Sequence, residues 1–215
     1  MKKLIKNFSV NNLTKTKNVT TGLFITTLFS MASCSKSDTP AAAPVATTPV
    51  VYQEENFLNS YLTTSSLNQT TTNYVNSGDN ELGTEFVPLV KGKITGFLVK
   101  LPDPNSNLRI TIWDKATGSS LATIMGNIAT ANTLTPVFFP GFDLVKNKEY
   151  AITMNTNDWY NRKKTDGTAV TYPITVGNIK VLSYKYKSGT AQSYPDTQNN
   201  TVYSGDLSFN FLRTE

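Results

Sequence analysis

Leu207, Phe209 and Phe211 alternate with Ser208 and Asn210. The same two-residue period returns in Phe97, Val99 and Leu101, and in Tyr150, Ile152 and Met154 with Ala151 and Thr153 opposite. Successive side chains of a strand point to opposite faces, so this pattern describes strands with one face buried. Candidate strands, runs rich in Val, Ile, Thr, Tyr and Phe of which several show this period, are Tyr61–Thr64, Thr70–Val75, Thr84–Val90, Lys93–Leu101, Leu108–Asp114 and Ser119–Met125. They continue as Thr135–Phe139, Glu149–Asn155, Ala169–Val176, Lys180–Lys187, Thr201–Tyr203 and Leu207–Arg213. Turn formers separate them: Lys91-Gly92, Asp103-Pro104-Asn105-Ser106-Asn107, Lys115-Ala116-Thr117-Gly118 and the stretch around Asn147.

Many short strands divided by turns predict an all-β chain. Its expected form is a two-sheet antiparallel β-sandwich of jelly-roll or Greek-key type over residues 56–215. Asn56 to Leu67 offers one or two helical turns, and its serines and threonines argue against more.

The chain has no histidine and one cysteine. That excludes His-based acid–base catalysis, Ser/His and Cys/His nucleophiles, imidazole zinc sites and an intrachain disulfide. The net charge of +5 misleads. Lys2, Lys3, Lys6, Lys15 and Lys17 precede Cys34 with no acid among them, which leaves fifteen basic residues against fifteen acidic ones. The one basic run, Arg162-Lys163-Lys164, lies between Asp158 and Asp166 and reads as a solvated loop. This balance argues against a nucleic-acid partner, which requires a basic face.

Residues 1–33 have the parts of a secretory signal: the basic start Met1-Lys2-Lys3-Leu4-Ile5-Lys6, then an apolar run from Gly22 to Met31. About ten apolar residues suit a signal core and fall well short of the ~20 that span a bilayer. Met31-Ala32-Ser33-Cys34 follows. Small residues before a lone cysteine resemble the lipobox of bacterial envelope lipoproteins. Met31 departs from the common Leu. The resemblance implies cleavage before Cys34, a diacylglyceryl group on its thiol, and further acylation, palmitate being a typical chain. It therefore implies the membrane as a partner through Cys34. Ser35 and Lys36 stand where an inner-membrane retention Asp would, which favours the outer membrane of a Gram-negative envelope. Residues 34–55 form a tether rich in Pro, Ala and Thr; its first seventeen residues after Cys34 reach at most about 50 Å.

The segment Gly92-Lys93-Ile94-Thr95-Gly96-Phe97, then Leu108 to Asp114, Thr117-Gly118 and Leu121-Ala122-Thr123, resembles jelly-roll modules of bacterial extracellular and carbohydrate-active proteins. It implies a sandwich that binds something, and it carries no functional residue across.

Two groups are candidate ligand sites. In Leu108–Asp114 the apolar face holds Leu108, Ile110 and Ile112, and Arg109, Thr111 and Trp113 occupy the other. An indole, a hydroxyl and a guanidinium on an open face would stack on a sugar and hydrogen-bond it. The competing reading packs Trp113 beneath a loop or near a sheet edge, as suits so large a side chain. The second group is Trp159, Tyr160, Asn161 and Arg162, expected on a loop. Its alternative is a plug closing the end of the sandwich. Tyr184 and Tyr186 read as an ordinary strand face. Asp103-x-Asn105-x-Asn107 begins like a calcium loop, but Leu108 stands where that loop needs Gly. No metal, cofactor or catalytic residue is expected. The expected function is a lipid-anchored binding or adhesion module for glycan. The alternatives are a structural or assembly lipoprotein with envelope-protein partners, and a hydrolase using a carboxylate pair.

Overall fold

The computed structural model describes residues 50–215. The signal segment, Cys34 and the tether up to residue 49 lie outside the described residues. In chain order the elements are β1 (Glu54–Asn56), α1 (Phe57–Ser65), β2 (Thr70–Tyr74), β3 (Asn80–Pro88) and β4 (Gly92–Lys100). Then come β5 (Asn105–Asp114), β6 (Ser119–Ile128), β7 (Thr135–Leu144), β8 (Tyr150–Thr156) and β9 (Trp159–Lys163). The last are β10 (Ile174–Val176), β11 (Ile179–Ser188), β12 (Thr197–Gln198), β13 (Val202–Ser204) and β14 (Asp206–Arg213).

These strands make an all-β sandwich of antiparallel sheets. One sheet runs β1-β14-β4-β7. The larger runs β10-β11-β3-β8-β5-β6, with β12 added on β11. The chain passes between them repeatedly: β4 and β7 sit in the smaller sheet, while β3, β5 and β8 sit in the larger. That crossing is the Greek-key habit expected from the turns. A third, small sheet, β13-β9-β2, is additional to the two expected.

The alternating residues become the core. Phe86 of β3 meets Phe209 of β14 with ring centroids 5.0 Å apart, and Phe97 meets Phe139 at 5.2 Å. Ile94, Leu108, Ile110, Ile112, Met154 and Val181 are fully buried between them. Each such side chain contributes about 1.5–3 kcal/mol through removal from water.

Three expectations need correction. Tyr61–Thr64 is not a strand; it lies in α1. Phe57, Leu58, Tyr61, Leu62 and Ser65 recur at helical spacing and are buried, so one packed face outweighs the weak propensity of the intervening Thr and Ser. Ser65 turns its hydroxyl back to the Tyr61 carbonyl, 2.7 Å away, and needs no outside partner. Trp159–Lys163 is not a loop; it is the central strand of the small sheet. The folded body also begins ahead of residue 56, because Glu54 and Glu55 pair with Leu212 and Phe211.

Helix and sheets are joined by a run of phenols. The Tyr203 ring lies 5.4 Å from both Tyr61 of α1 and Tyr184 of β11. Tyr61 and Tyr172 share a hydroxyl–hydroxyl hydrogen bond of 2.5 Å. This run ties the small sheet to the larger one and to the helix.

No helix among the described residues is long and apolar enough to cross a membrane.

Candidate functional site

The first group comes together on one face but is covered. Register places Arg109, Thr111 and Trp113 of β5 beside Asn155, Thr153 and Ala151 of β8, with Glu81 and Glu85 of β3 beyond. Residues 189–196 run across this face as a strap. Arg109 donates to the Thr190 carbonyl at 3.0 Å. The Gln192 amide donates to Thr111 and Thr123, at 3.2 and 2.6 Å. Tyr194 lies edge-on to the Trp113 indole at 5.8 Å and donates its hydroxyl to Glu85 at 2.7 Å.

Trp113 is therefore not on an open face. It is 3% exposed, and its indole N–H donates to Thr153 at 2.8 Å. Arg109 is spent on Glu81, 2.8 Å away, whose other oxygen accepts from Thr153. The buried acids are each paired, as burial of charge requires. Burial pushes the Glu85 carboxyl up, but hydrogen bonds from Lys185, Tyr194 and Ser183 outweigh it and hold the group below the ordinary value.

The second group divides between two faces of β9. Tyr160 and Arg162 point one way. Arg162 grips Asp206 with two N–H groups, at 2.6 and 2.5 Å. Hydrogen bonding to Asp206 raises the Arg162 pKa further, so this charge is permanent. Tyr160 donates to Asn132 and lies under the Lys100 ammonium, 5.3 Å from its ring centroid. The basic run is thus anchored at its first residue and is not simply solvated.

Trp159 and Asn161 point the other way, into a cleft of about 240 Å³. Asp158 sets this direction. Its carboxylate accepts from the Asn76 N–H at 2.7 Å, and its backbone N–H and carbonyl both bond the Thr156 hydroxyl, so the turn from β8 into β9 is fixed. Tyr74 of β2 pairs with Trp159 and lies against it. Asn161 donates to the Ser204 hydroxyl at 3.2 Å. From the larger sheet come Asn80, Leu82, Tyr184 and Tyr186, and the cleft is completed by Asn199 and Val202.

The chemistry of this lining is uniform. It holds aromatic rings, amides, a hydroxyl and aliphatic carbon, and none of its residues is Asp, Glu, Lys or Arg. Burial pushes the Tyr184 phenol well above its ordinary value, so it stays protonated. Asn199 is oriented by the Thr201 N–H and hydroxyl, each 2.9 Å from its Oδ1, which leaves its NH₂ as a donor. Such a cleft can stack an apolar ring face and exchange hydrogen bonds with hydroxyls.

Of the residues lining this cleft, sequence reasoning named Trp159 and Asn161 as candidates but not Tyr74, Asn80 or Asn199, and it placed Tyr184 and Tyr186 on an ordinary strand face. The Thr-rich run Thr70–Val75 marks Tyr74 as a strand residue, yet only the pairing of β2 with β9 brings it to Trp159. Among the described residues no cluster of three or more acidic, His or Cys side chains could hold a metal.

Compared with models of protein families, the chain matches none. Compared with curated proteins, it again finds no match.

Proposed function

We propose that the protein is a lipid-anchored extracytoplasmic binding module whose ligand is a glycan, taken in the cleft between the small sheet and the end of the larger one. The observation that carries this reading is the aromatic pair Tyr74 and Trp159 set beside Asn161 and Ser204. Stacking surface next to amides and a hydroxyl is what a sugar ring needs, and it is held on strands rather than on a loop. The lipobox supports the anchor. Two or three acyl chains on Cys34 would give stable attachment, because each buried CH₂ contributes about 0.8 kcal/mol and one chain alone holds marginally.

Two measurements test the two halves. A glycan array probed with the full chain should show bound saccharides that are lost with Tyr74→Ala. A chain that binds no saccharide, or binds equally well without Tyr74, overturns the ligand half. Labelling with radioactive palmitate should mark the wild type and spare Cys34→Ala; an unlabelled wild type overturns the anchor.

A second reading, an assembly lipoprotein with protein partners, is favoured by one observation. Phe138 is 87% exposed on β7, an edge strand of the four-stranded sheet. A bare aromatic on a sheet edge is a place for another chain to pair. Phe138→Ser would then abolish co-purification of a defined envelope protein.

A further inference from the structure

We infer that the cleft accepts one ring of an uncharged saccharide, at a chain end or as a side branch, and rejects acidic sugars. This rests on the glycan reading above and adds the class of ligand.

The first argument is size. Pockets that enclose a drug-sized ligand run to about 300–1,000 Å³. The 240 Å³ here is smaller, room for a single ring and not for a stretch of polymer. Whatever the rest of the glycan is, it must leave the cleft after one unit.

The second argument is charge. The lining carries no cation to pair a carboxylate or sulfate. Arg162 is turned to the opposite face of β9 and locked on Asp206. Lys185, between Tyr184 and Tyr186, is turned to the opposite face of β11 and paired with Glu85. Lys163, on the same face of β9 as Asn161, is exposed to solvent outside the lining. An anionic group brought into the cleft would lose part of its water without gaining a counter-charge from the lining, which disfavours it. Hydroxyls meet no such penalty, because Asn161, Ser204 and Asn199 offer amide and hydroxyl partners of matching polarity.

The third argument concerns the aromatic wall. Trp159 is 9% exposed and Tyr74 is 40% exposed, so the tyrosine presents the accessible ring and the indole backs it. A ring with one apolar face could lie on Tyr74 while its hydroxyls reach the amides.

The chain has two tryptophans, and only Trp159 is in the cleft. Trp113→Phe therefore leaves a full-length protein, held in detergent micelles, whose indole fluorescence reports the site alone. The probes are methyl glucoside, methyl galactoside and N-acetylglucosamine, against glucuronate, N-acetylneuraminate and galactose 6-sulfate. At least one neutral sugar should shift the Trp159 emission saturably. Its affinity should fall by about tenfold or more with Tyr74→Ala. Acidic sugars should bind about tenfold or more weakly than the neutral one. The neutral sugar's own trisaccharide should bind within about tenfold of the monosaccharide.

Acidic sugars binding as well as neutral ones would overturn this inference and leave the glycan reading standing. A trisaccharide binding a hundredfold tighter would overturn the single-ring part in the same way. Absence of any saccharide response, here and on the array, overturns both.

Discussion

The ring of Tyr74 lies parallel to the indole of Trp159, with centroids 5.5 Å apart and planes 11° from each other. The two residues are cross-strand partners in the small sheet, so backbone register holds the stack. Replacing the outer ring and the inner one should have separable effects. Tyr74→Ala removes a half-exposed ring and should cost about 0.5–1.5 kcal/mol of stability. Trp159→Ala empties a buried site and should cost about 3–5 kcal/mol. Urea denaturation of both variants, followed by circular dichroism, checks the ordering. Equal costs would mean that Tyr74 is more deeply packed than its exposure shows.

Trp113 should behave as a structural residue. Trp113→Phe keeps most of the ring under Tyr194 and loses the hydrogen bond to Thr153. The expected loss is about 1 kcal/mol. Saccharide affinity should not change, because the indole sits under the strap and away from the cleft. A titration in which this variant loses binding would restore Trp113 as a contact residue.

Glu85 should make the protein acid-sensitive. Its folded carboxyl is held below the ordinary value by Lys185, Tyr194 and Ser183 against the opposing effect of burial. A depressed carboxylate contributes stability that is fully present above the unfolded value, about 4.3. That contribution is lost as pH falls through the lower folded value. The urea midpoint of the wild type should therefore drop between about pH 5 and pH 3. Glu85→Gln should begin less stable at neutral pH and show a shallower fall over that range. Parallel curves for the two proteins would mean that other carboxylates carry the effect.

Gly205 should not tolerate a side chain. Its φ is +90°, and a Cβ there would stand 2.6 Å from the Met154 methyl and 3.4 Å from Leu82. Gly205→Ala should cost more than about 1 kcal/mol, combining backbone strain with crowding. A lowered thermal midpoint is the readout. Since Ser204 precedes this glycine and lines the cleft, saccharide affinity should fall as well.

Much of the fold can be read from residues alone. Leu207, Phe209 and Phe211 are buried as their alternation requires, and so are Ile110 and Ile112. Periodicity worked there because the core-facing side of each strand is apolar and the other side largely polar, even where that other side is itself covered, as at Thr111 and Ser208. It failed at Tyr61–Thr64, where threonines suggested a strand and the buried residues Phe57, Leu58, Tyr61 and Leu62 made a helix. It failed at Trp159–Lys163 for a different reason. The neighbouring Asn and Asp residues look like loop chemistry, and the strand exists only because β2 and β13 pair with it from distant parts of the sequence. The candidate site was half legible on the same account. Trp159 and Asn161 share a strand and alternate, but Tyr74, Asn80 and Asn199 arrive by tertiary pairing. The covering of Trp113 by residues 189–196 has no sequence period to announce it.

That strap gathers its partners from many places. Its contacts are with Asp79, Glu85, Arg109, Thr111, Trp113, Thr123 and Asn155, drawn from β3, β5, β6, β8 and the approach to β3. None of these groups converges until the larger sheet is aligned, and long-range pairing is the slow part of building such a sheet. The segment can settle only at the end. An exchange-labelled amide near Tyr194 would therefore report when the larger sheet has come into register.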